Sequence, residues 1–297
     1  MAAVVEALLD RFHERTPIRA GSLIVTVFGD AVVPRGGVLS LASLHEIMRA
    51  FRISDTLVRT ALSRLVAEGW FERWKVGRNS YYRLTPQGQE AFAEATRRIY
   101  ADPPHEWHGS FDLLLLENPQ DRNALRGELS AAGYGTLGPD LLMGAGPAAR
   151  TGPFLRLAAT PADLPTARRL VEKAWPLAEI EARYRRFIDT YAGTLGALER
   201  GAGFTSLDAL LVRILLIHDY RRAVLKDPQL PSRLLPGPWA GTGARALCGT
   251  IYRTLLPAAE RWIDTHAQSD LGPLPAVDET FRQRFAAAEP AAELRIG

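Results

Sequence analysis

The residues Leu41–Thr85, LASLHEIMRAFRISDTLVRTALSRLVAEGWFERWKVGRNSYYRLT, decide the fold of the first third of the chain. Their opening part predicts a short amphipathic helix, because its apolar side chains follow the i, i+3, i+4, i+7 spacing of one buried stripe: Leu44, Ile47, Met48 and Phe51. Ser43 is placed to cap this helix, and Glu46, three residues later, completes a capping box.

A second helix is predicted after Arg52 and Ile53. Ser54 can cap it, and Asp55 is favourably placed against the positive N-terminal end of the helix dipole. Its buried stripe consists of Val58, Ala61, Leu62 and Leu65. At about 100° per residue, the opposite face carries no carboxylate and consists of Thr56, Arg59, Thr60, Ser63 and Arg64.

The next segment predicts a two-stranded antiparallel ribbon with a basic tip. Its strands are 70–76 and 81–84, joined by a turn at 77–80. Two short helices followed by such a ribbon predict a winged helix-turn-helix, whose second helix enters the major groove of DNA. We expect the wing to grip phosphates or to enter the minor groove through Arg73, Lys75, Arg78 and Asn79.

The polar face of the second helix has the chemistry of base recognition. Arg59 and Arg64 can each donate two hydrogen bonds to guanine O6 and N7, whereas the hydroxyls suit phosphates or a thymine methyl group. The alternatives are an ordinary solvated helix face and a solubilising hairpin. The charge distribution favours DNA binding over these alternatives. Residues 35–83 include nine basic and four acidic residues, a net charge of +5, whereas the net charge of the whole chain is +3.

Composition narrows the class of protein. With 47% hydrophobic residues the chain can form real cores. Cys248 is the only cysteine, which excludes an intramolecular disulfide and a cysteine-based zinc site. Glu6 and Asp10 interrupt an apolar run too short for a signal peptide, and no run approaches the roughly 20 residues that cross a bilayer, so we expect a cytoplasmic protein without a membrane partner. No nucleophile–base pair, P-loop or dinucleotide fingerprint occurs, so we expect no catalytic residue, metal or cofactor.

The length of 297 residues predicts more than one domain. We expect an α+β multidomain chain with a winged helix-turn-helix and linker helix at 1–103, a central domain at 104–175 and a helical domain at 176–297. Residues 22–28 contain enough β-branched side chains to form a strand. A possible N-cap at Thr16 followed by Pro17, and Gly29 just past the end of the segment, favour a helix instead. A further helix is predicted at 87–100.

The central domain alternates strands and helices, which predicts a ferredoxin-like α/β sandwich. Strands are expected at 107–116, 154–159 and twice within 134–146, and helices at 120–133 and 165–174. The apolar run that ends at Leu116 is typical of a strand buried on both faces. Beyond it, helices are expected at 180–197, 206–225 and 242–265, the second capped by Ser206 and Asp208. The alanine- and glutamate-rich tail after Pro273 is expected to be loosely held.

Two residue sets outside the winged domain could carry chemistry. Arginines with a tryptophan and a proline-rich loop could bind a phosphorylated, partly apolar effector, and the candidates are Arg213, His218, Arg221, Arg222 and Trp239. The alternative is a salt-bridge cluster between domains. His105, His108 and Asp112 form a weak metal signal, in which only His108 and Asp112 would share one face of a strand.

Several blocks of the sequence, in order, resemble the PaaX family of phenylacetic-acid degradation repressors. The blocks are IRAGSLIVTVFGD (18–30), LVRTALSRLVAEGW (57–70), GRNSYYRLTPQG (77–88), RRIYADPPHEWHGSFDLLLL (97–116) and LLIHDYRRAVLKDPQLPSRLLPGPW (215–239). The resemblance extends from about residue 19 to residue 262.

The resemblance implies a GntR-like winged helix, a central Cas2-like ferredoxin domain for dimerisation and a helical C-terminal domain. It also implies a homodimeric repressor of a phenylacetate catabolic operon, released from DNA by phenylacetyl-coenzyme A or a related acyl-coenzyme A. Two rival interpretations remain open. One is a metal-dependent nuclease that uses Asp112 of the Cas2-like domain, and the other is an architectural DNA-binding dimer without a ligand.

Overall fold

The computed structural model describes residues 2–14, 17, 19–101, 106–117, 122–146, 151–277 and 279–286. The helices are α1 (Ala2–His13), α2 (Ala20–Val27), α3 (Leu41–Ala50), α4 (Asp55–Ala67), α5 (Pro86–Tyr100), α6 (Arg122–Ala131), α7 (Leu164–Ala174), α8 (Leu177–Glu199), α9 (Ser206–Val224), α10 (Ala240–His266) and α11 (Glu279–Arg282). The strands are β1 (Leu39–Ser40), β2 (Phe71–Val76), β3 (Asn79–Leu84), β4 (Phe111–Leu116), β5 (Gly135–Thr136), β6 (Leu141–Gly144), β7 (Phe154–Ala159), β8 (Gln268–Ser269) and β9 (Gly272–Pro273).

These elements make a mixed α+β protein with small antiparallel sheets, as the sequence predicted. Two compact units are present. The first consists of Met1–Ala101, Phe187–Arg222 and Ala244–Gly297, and the second of Asp102–Arg186 and Ala223–Gly243. No helix in the described part of the chain has the length and apolarity to cross a membrane.

The two helices and the ribbon predicted between residues 41 and 85 are confirmed as α3, α4, β2 and β3. Strand β3 lies between β1 and β2 in a three-stranded antiparallel sheet. Helix α4 begins after Ser54, whose hydroxyl accepts a hydrogen bond from the Leu57 amide as expected.

The predicted cap of α3 is wrong, because Ser40 holds that position and accepts from the Ser43 amide at 3.1 Å. Ser43 lies inside the first turn, where its hydroxyl contacts the segment that follows α10: it donates to the His266 carbonyl and accepts from the Gln268 amide. Local spacing cannot show which of the two serines caps α3, because the contact of Ser43 with residues distant in sequence decides it.

The ambiguous segment at 22–28 is helical, as predicted, because Leu23, Ile24 and Val27 are completely buried and satisfy their backbone groups within α2. The helix begins at Ala20 rather than behind a cap at Thr16, a residue outside the described part of the chain. A π-helical turn, Phe28–Val32, then continues the helix and places Asp30 in the interior.

The prediction of a loosely held tail is wrong for residues 274–277 and 279–286. Leu274, Phe281 and Phe285 are buried, and the Phe285 ring lies 5.3 Å from both Tyr100 and Tyr252. The alanine- and glutamate-rich composition of the tail gives no sign that Phe281 and Phe285 are buried. Helix α9 also differs locally, since Thr205, not Ser206, accepts the capping hydrogen bond from the Asp208 amide.

The second unit holds a four-stranded antiparallel sheet in the order β5-β6-β4-β7. Helix α6 covers one face through Leu125 and Leu129, and α7 packs on the other through Ala167 and Val171. Strand β4 is central but is not buried on both faces along its length, because Leu115 is 37% exposed. A continuous apolar run could not reveal this, since it predicts burial without showing where the covering helix ends.

Candidate nucleic-acid interface

Helix α4 presents the polar face that the sequence predicted. Its residues Val58, Ala61, Leu62 and Leu65 are buried. All five residues predicted to contact DNA are exposed: Thr56, Arg59, Thr60, Ser63 and Arg64. At about 100° per residue, Thr56 and Ser63 lie near the centre of this face, and Arg59 and Arg64 lie on opposite flanks.

The start of α4 is fixed by an ion pair from α3. Asp55 accepts hydrogen bonds from Arg49 Nε at 2.9 Å and Arg49 Nη2 at 2.5 Å, and its Oδ2 lies 3.3 Å from His45 Nδ1. The hydrogen bond from Arg49 holds the pKa of the Asp55 carboxyl below its ordinary value, whereas burial lowers the pKa of His45. This carboxylate therefore faces α3, and no negative charge joins the exposed face of α4.

The register of the hairpin separates its side chains onto two faces. Arg73 pairs with Tyr82 and Lys75 with Ser80, so these four residues share one face, the face on which Phe71 and Leu84 are buried. Arg73 Nη2 also donates to Ser80 Oγ at 2.9 Å. Two of the predicted wing cations thus lie on the side of the sheet that packs against the helices.

On the other face of the hairpin, the charged and aromatic side chains contact one another. Trp74 and Tyr81 stack with ring centroids 6.0 Å apart, and the Arg83 guanidinium lies 5.3 Å from the centre of the Trp74 ring. Arg83 also pairs with Glu72. The remaining predicted wing residues, Arg78 and Asn79, are exposed at the turn.

A cleft separates α4 from the wing. Its volume is about 250 Å³, and its lining contains no carboxylate: Leu41, Arg59, Leu62, Ser63, Val66, Arg73 and Tyr82. The sequence pattern predicts no functional role for Tyr82. The signal that could have identified it is its cross-strand position opposite Arg73, which places the phenol beside a cation.

The structure gives Arg213, the first predicted effector residue, an internal partner. Its side chain is completely buried in the first unit, with Nε 2.7 Å from Asp30 Oδ2, and it pairs with Glu260 as well. Burial alone would lower the pKa of Arg213, but the charges of Asp30 and Glu260 outweigh burial and raise it. Contact with an effector would require these ion pairs to break, so the placement favours a structural role.

The other candidates on α9 differ in exposure. His218 is buried, and its Nδ1 lies 3.0 Å from Thr26 Oγ1. Arg221 donates to Ser22 Oγ at 2.8 Å, and burial lowers its pKa. Arg222 is exposed, and Trp239, which belongs to the second unit, is half-buried. The sequence grouped these residues by side-chain chemistry and nearness along the chain, and the structure does not place them on one surface.

The first unit also contains a larger cleft, of about 760 Å³, that sequence reasoning missed. Phe92, Tyr100 and Phe281 give it an aromatic lining, and Arg83 and Arg97 are exposed arginines that line it. Such a volume is typical of small-molecule sites. Its lining comes from β3, α5 and the C-terminal segment, which are far apart in the sequence, and no local motif marks it.

The second unit gives no support to the weak metal signal of the sequence. Asp112 is buried, and its two oxygens accept hydrogen bonds from Tyr134 Oη at 2.7 Å and Arg156 Nε at 2.6 Å. His108 is exposed and precedes β4, so the expected strand face shared with Asp112 does not form. His105 lies outside the described residues, and among the residues that are described no three His, Cys, Asp or Glu side chains cluster as metal ligands.

Comparisons with known proteins identify the class. Residues 19–88 match the family model for PaaX-like protein, and residues 175–265 match that for the PaaX-like protein C-terminal domain. The Transcriptional repressor PaaX of Escherichia coli (strain K12) is 35% identical over 289 residues, covering 91% of this chain and 90% of that protein.

A solved structure supports the fold alone. The uncharacterized protein Rv0674 from Mycobacterium tuberculosis superposes with a TM-score of 0.51 at 21% identity, covering 74% of this chain and 89% of that one.

Together, the basic helix-and-ribbon surface and these matches define a transcriptional regulator rather than an enzyme. The chain belongs to the PaaX family.

Proposed function

We propose that the chain is a transcriptional repressor that binds double-stranded DNA through a winged helix-turn-helix, with α4 in the major groove and the β2–β3 hairpin as the wing. The observation that carries this proposal is the exposed, carboxylate-free face of α4 beside Arg73 and Lys75 on the neighbouring face of the hairpin. Side chains of one charge on adjacent elements match the backbone of a polyanion.

The proposed contacts are those that the sequence suggested. Base edges and phosphates are contacted by Thr56, Arg59, Thr60, Ser63 and Arg64 on α4, and backbone or minor-groove contacts come from Arg73, Lys75, Arg78 and Asn79 on the wing. All nine residues are exposed, which supports the assignment. The Thr60 hydroxyl already donates to the Thr56 carbonyl, so it is best suited to a methyl contact.

Binding by the full chain to duplexes selected from a random-sequence pool tests this function. We expect enrichment of an imperfect palindrome, and Arg64→Ala should relax the preference at one base pair of each half-site at a cost of about 1–3 kcal/mol. The exposed Arg185 on α8, paired with Glu181, gives a control variant of equal charge change, Arg185→Ala. Failure of the unmodified chain to bind any duplex would refute the proposal.

The palindrome follows from the second part of the proposal, a homodimer formed by the second unit. Leu115, Leu155 and Leu157 are each more than a third exposed. Leu115 pairs with Leu155 across the β4–β7 ladder, and Leu157 is two residues further along β7, so the three leucines share one sheet face. Because β7 is an edge strand, a second copy can cover this apolar face and its edge in one symmetric contact.

The central unit is proposed to be ferredoxin-like on the strength of its strand order. The four strands are antiparallel, and the first strand, β4, lies between β6 and β7, as in a split βαβ arrangement. One helix differs in position, since α7 follows the last strand instead of preceding it.

The proposed regulation is release from DNA by an acyl-coenzyme A, most simply phenylacetyl-coenzyme A, at a phenylacetate catabolic operon. Membership of the PaaX family supports this, and a ligand that favours a conformation unable to match the operator would empty it by population shift.

We place the effector in the 760 Å³ cleft of the first unit, where aromatic side chains suit an aryl group and Arg97 suits a phosphate. Arg222 and Trp239 remain further candidates, whereas Arg213, His218 and Arg221 already bind internal partners.

A thermal-shift series with coenzyme A esters tests the effector site. A ligand at 100 times its Kd should stabilise the chain by about 2.7 kcal/mol, and Phe92→Ala should reduce that gain more than Arg222→Ala does. A larger reduction in Arg222→Ala than in Phe92→Ala would instead place the effector site at α9. No stabilisation by any ester would favour the architectural dimer without a ligand.

The nuclease interpretation has a direct test as well. Incubation with labelled DNA and magnesium should give no cleavage, because both Asp112 oxygens are already bound by Tyr134 and Arg156. Cleavage that Asp112→Ala abolishes would overturn the repressor assignment.

A further inference from the structure

We propose that the 250 Å³ cleft between α4 and the wing binds one phosphodiester of the DNA backbone, held by the Tyr82 hydroxyl together with the guanidinium groups of Arg59 and Arg73. The inference rests on the proposed DNA binding and deepens it, because it adds a residue with no assigned role and changes the role of another.

The two arginines reach the cleft from different elements. Arg59 lies on the flank of α4 that carries Leu62 and Val66, and these residues line the cleft with it. Arg73 lies on β2 directly opposite Tyr82, on the face of the hairpin that packs against the helices. A helix and a strand thus place two cations across one space, with Leu41 and Leu62 as its apolar floor.

Tyr82 supplies a polar group that the fold itself does not use. Its side chain is 6% exposed, yet in the described part of the chain no hydrogen bond joins its hydroxyl to another residue. Burial raises the pKa of Tyr82, and the positive charges of Arg73 and Arg59 oppose this, which shows that both guanidinium groups act on the phenol. The hydroxyl therefore stays protonated at neutral pH and can donate.

The chemistry of the cleft fits a phosphate monoanion. Guanidinium groups present paired donors in a plane that matches phosphate oxygens, and a hydroxyl adds a third donor direction. Ser63 at the rim can donate as well, and no acidic side chain lines the space. A neutral ligand would leave two adjacent arginines without compensation.

In this arrangement the exposed residues of α4 contact different parts of the DNA. Arg59 contacts the backbone from one flank, whereas Thr56 and Arg64 face the bases from the centre and the other flank. The sequence pattern predicts instead that Arg59 recognises guanine. The two interpretations therefore predict different effects of DNA sequence on binding by the Arg59→Ala variant.

The test compares Tyr82→Phe with Tyr81→Phe, since Tyr81 is the neighbouring tyrosine on the opposite face of β3 and stacks on Trp74. Binding is measured on a selected palindrome and on a random duplex. Tyr82→Phe should weaken both by about tenfold, the loss of one hydrogen bond to a charged group, without changing the salt slope. Tyr81→Phe should change neither affinity.

Arg59→Ala should weaken both duplexes by the same factor and lower the salt slope by about one. Loss confined to the palindrome would show that Arg59 reads a base and would overturn the phosphate site while leaving DNA binding intact. If the unmodified chain binds neither duplex, the proposed function itself fails.

Ethylation interference locates the contact. One phosphate per half-site should interfere with the unmodified chain and interfere less strongly with Tyr82→Phe, because the two arginines still contact it. The final arm replaces chloride with inorganic phosphate at constant ionic strength. If the cleft were a site for free phosphate, millimolar inorganic phosphate would weaken DNA binding by the unmodified chain but not by Tyr82→Phe. Tyr82→Phe would then also bind both duplexes with unchanged affinity in chloride. That outcome would overturn the assignment to the DNA backbone.

Discussion

Arg213 Nε lies 2.7 Å from Asp30 Oδ2, and both side chains are completely buried. The contact is an ion pair rather than an aligned hydrogen bond, because neither atom meets a hydrogen-bond geometry although the two charges touch. Asp30 Oδ1 also accepts from Tyr100 Oη at 2.7 Å and Tyr252 Oη at 3.0 Å. Arg284 Nη1 adds a second buried cation 3.2 Å from Asp30 Oδ1.

This cluster joins separate parts of the first unit at one carboxylate. Asp30 belongs to the π-helical turn after α2, Arg213 to α9, and Arg284 to the C-terminal segment. Arg213 continues to Glu260 on α10, which also binds Arg35. A buried network with its partners in place specifies a single arrangement of the elements that contribute to it.

The first prediction concerns the central carboxylate of this cluster. Asp30→Asn leaves two buried guanidinium groups with one fewer counter-charge, so the free energy of unfolding should fall by about 3–5 kcal/mol. Urea denaturation followed by circular dichroism measures the change. The matched control is Asp10→Asn, which removes an exposed partner of Arg52 and should cost little stability, because solvent screens that pair. Equal losses in the two variants would show that Asp30 is not the centre of the network.

The second prediction is a loss of stability at alkaline pH. Burial raises the pKa values of Tyr100, Tyr252 and Cys248 in the folded protein. These groups ionise more easily after unfolding, near pH 10 for tyrosine and 8.5 for cysteine. Their contribution is therefore complete below those values and is lost as pH rises above them.

Above about pH 10, each tyrosine should steepen the decline by up to about 1.4 kcal/mol per pH unit, and Tyr252→Phe should remove one such contribution. Denaturation curves at a series of pH values measure these slopes. Cys248→Ala should remove a comparable contribution that begins at a lower pH, from about pH 8.5 upward. An unchanged alkaline slope in Tyr252→Phe would contradict the buried, protonated phenol.

The third prediction concerns the wing. Lys75→Ala should weaken binding to all duplexes alike and lower the dependence of log K on log salt by about one, because one phosphate contact is lost. Arg83→Ala serves as the control, since Arg83 lies on the other face of the hairpin and pairs with Glu72 and Trp74. Titrations at several salt concentrations give both slopes. If Lys75→Ala kept the original slope, the wing would not belong to the interface.

The fourth prediction concerns the apolar face of the second unit. Leu155→Asp places a charge where two copies are proposed to meet, so sedimentation should report a monomer, and affinity for the palindrome should fall towards that for one half-site. Leu271→Asp is the control, because Leu271 is 94% exposed in the first unit. A Leu155→Asp protein that sediments like the unmodified chain would place the dimer contact elsewhere.

Local patterns predicted the elements that local interactions determine. The stripe spacing of α3 and α4, the cap at Ser54 and the turn between β2 and β3 depend on residues close in sequence, and the structure contains all of them. The exposed basic face of α4 follows from the same periodicity. The choice of Ser40 over Ser43 as a cap did not, because contacts with residues near 267 decide it.

Contacts between distant residues were beyond the reach of sequence patterns. Asp30, the partner of Arg213, is 183 residues away in the sequence. The isolated position of Arg213 within an apolar run gave no sign of a buried carboxylate. Side-chain chemistry and nearness in the sequence therefore grouped Arg213 with Arg222 as ligand-binding residues. The cleft beside α5 and the cleft at Tyr82 were missed for the same reason, since each is lined by elements separated along the chain.

The most direct test of the central claim is a mobility shift with the full chain on DNA upstream of its neighbouring genes, with and without phenylacetyl-coenzyme A. We expect a discrete shifted band that resists excess random DNA and disappears as the ester is added, whereas free coenzyme A leaves it in place. A band that random DNA removes, or that the ester leaves unchanged, would contradict a ligand-released repressor.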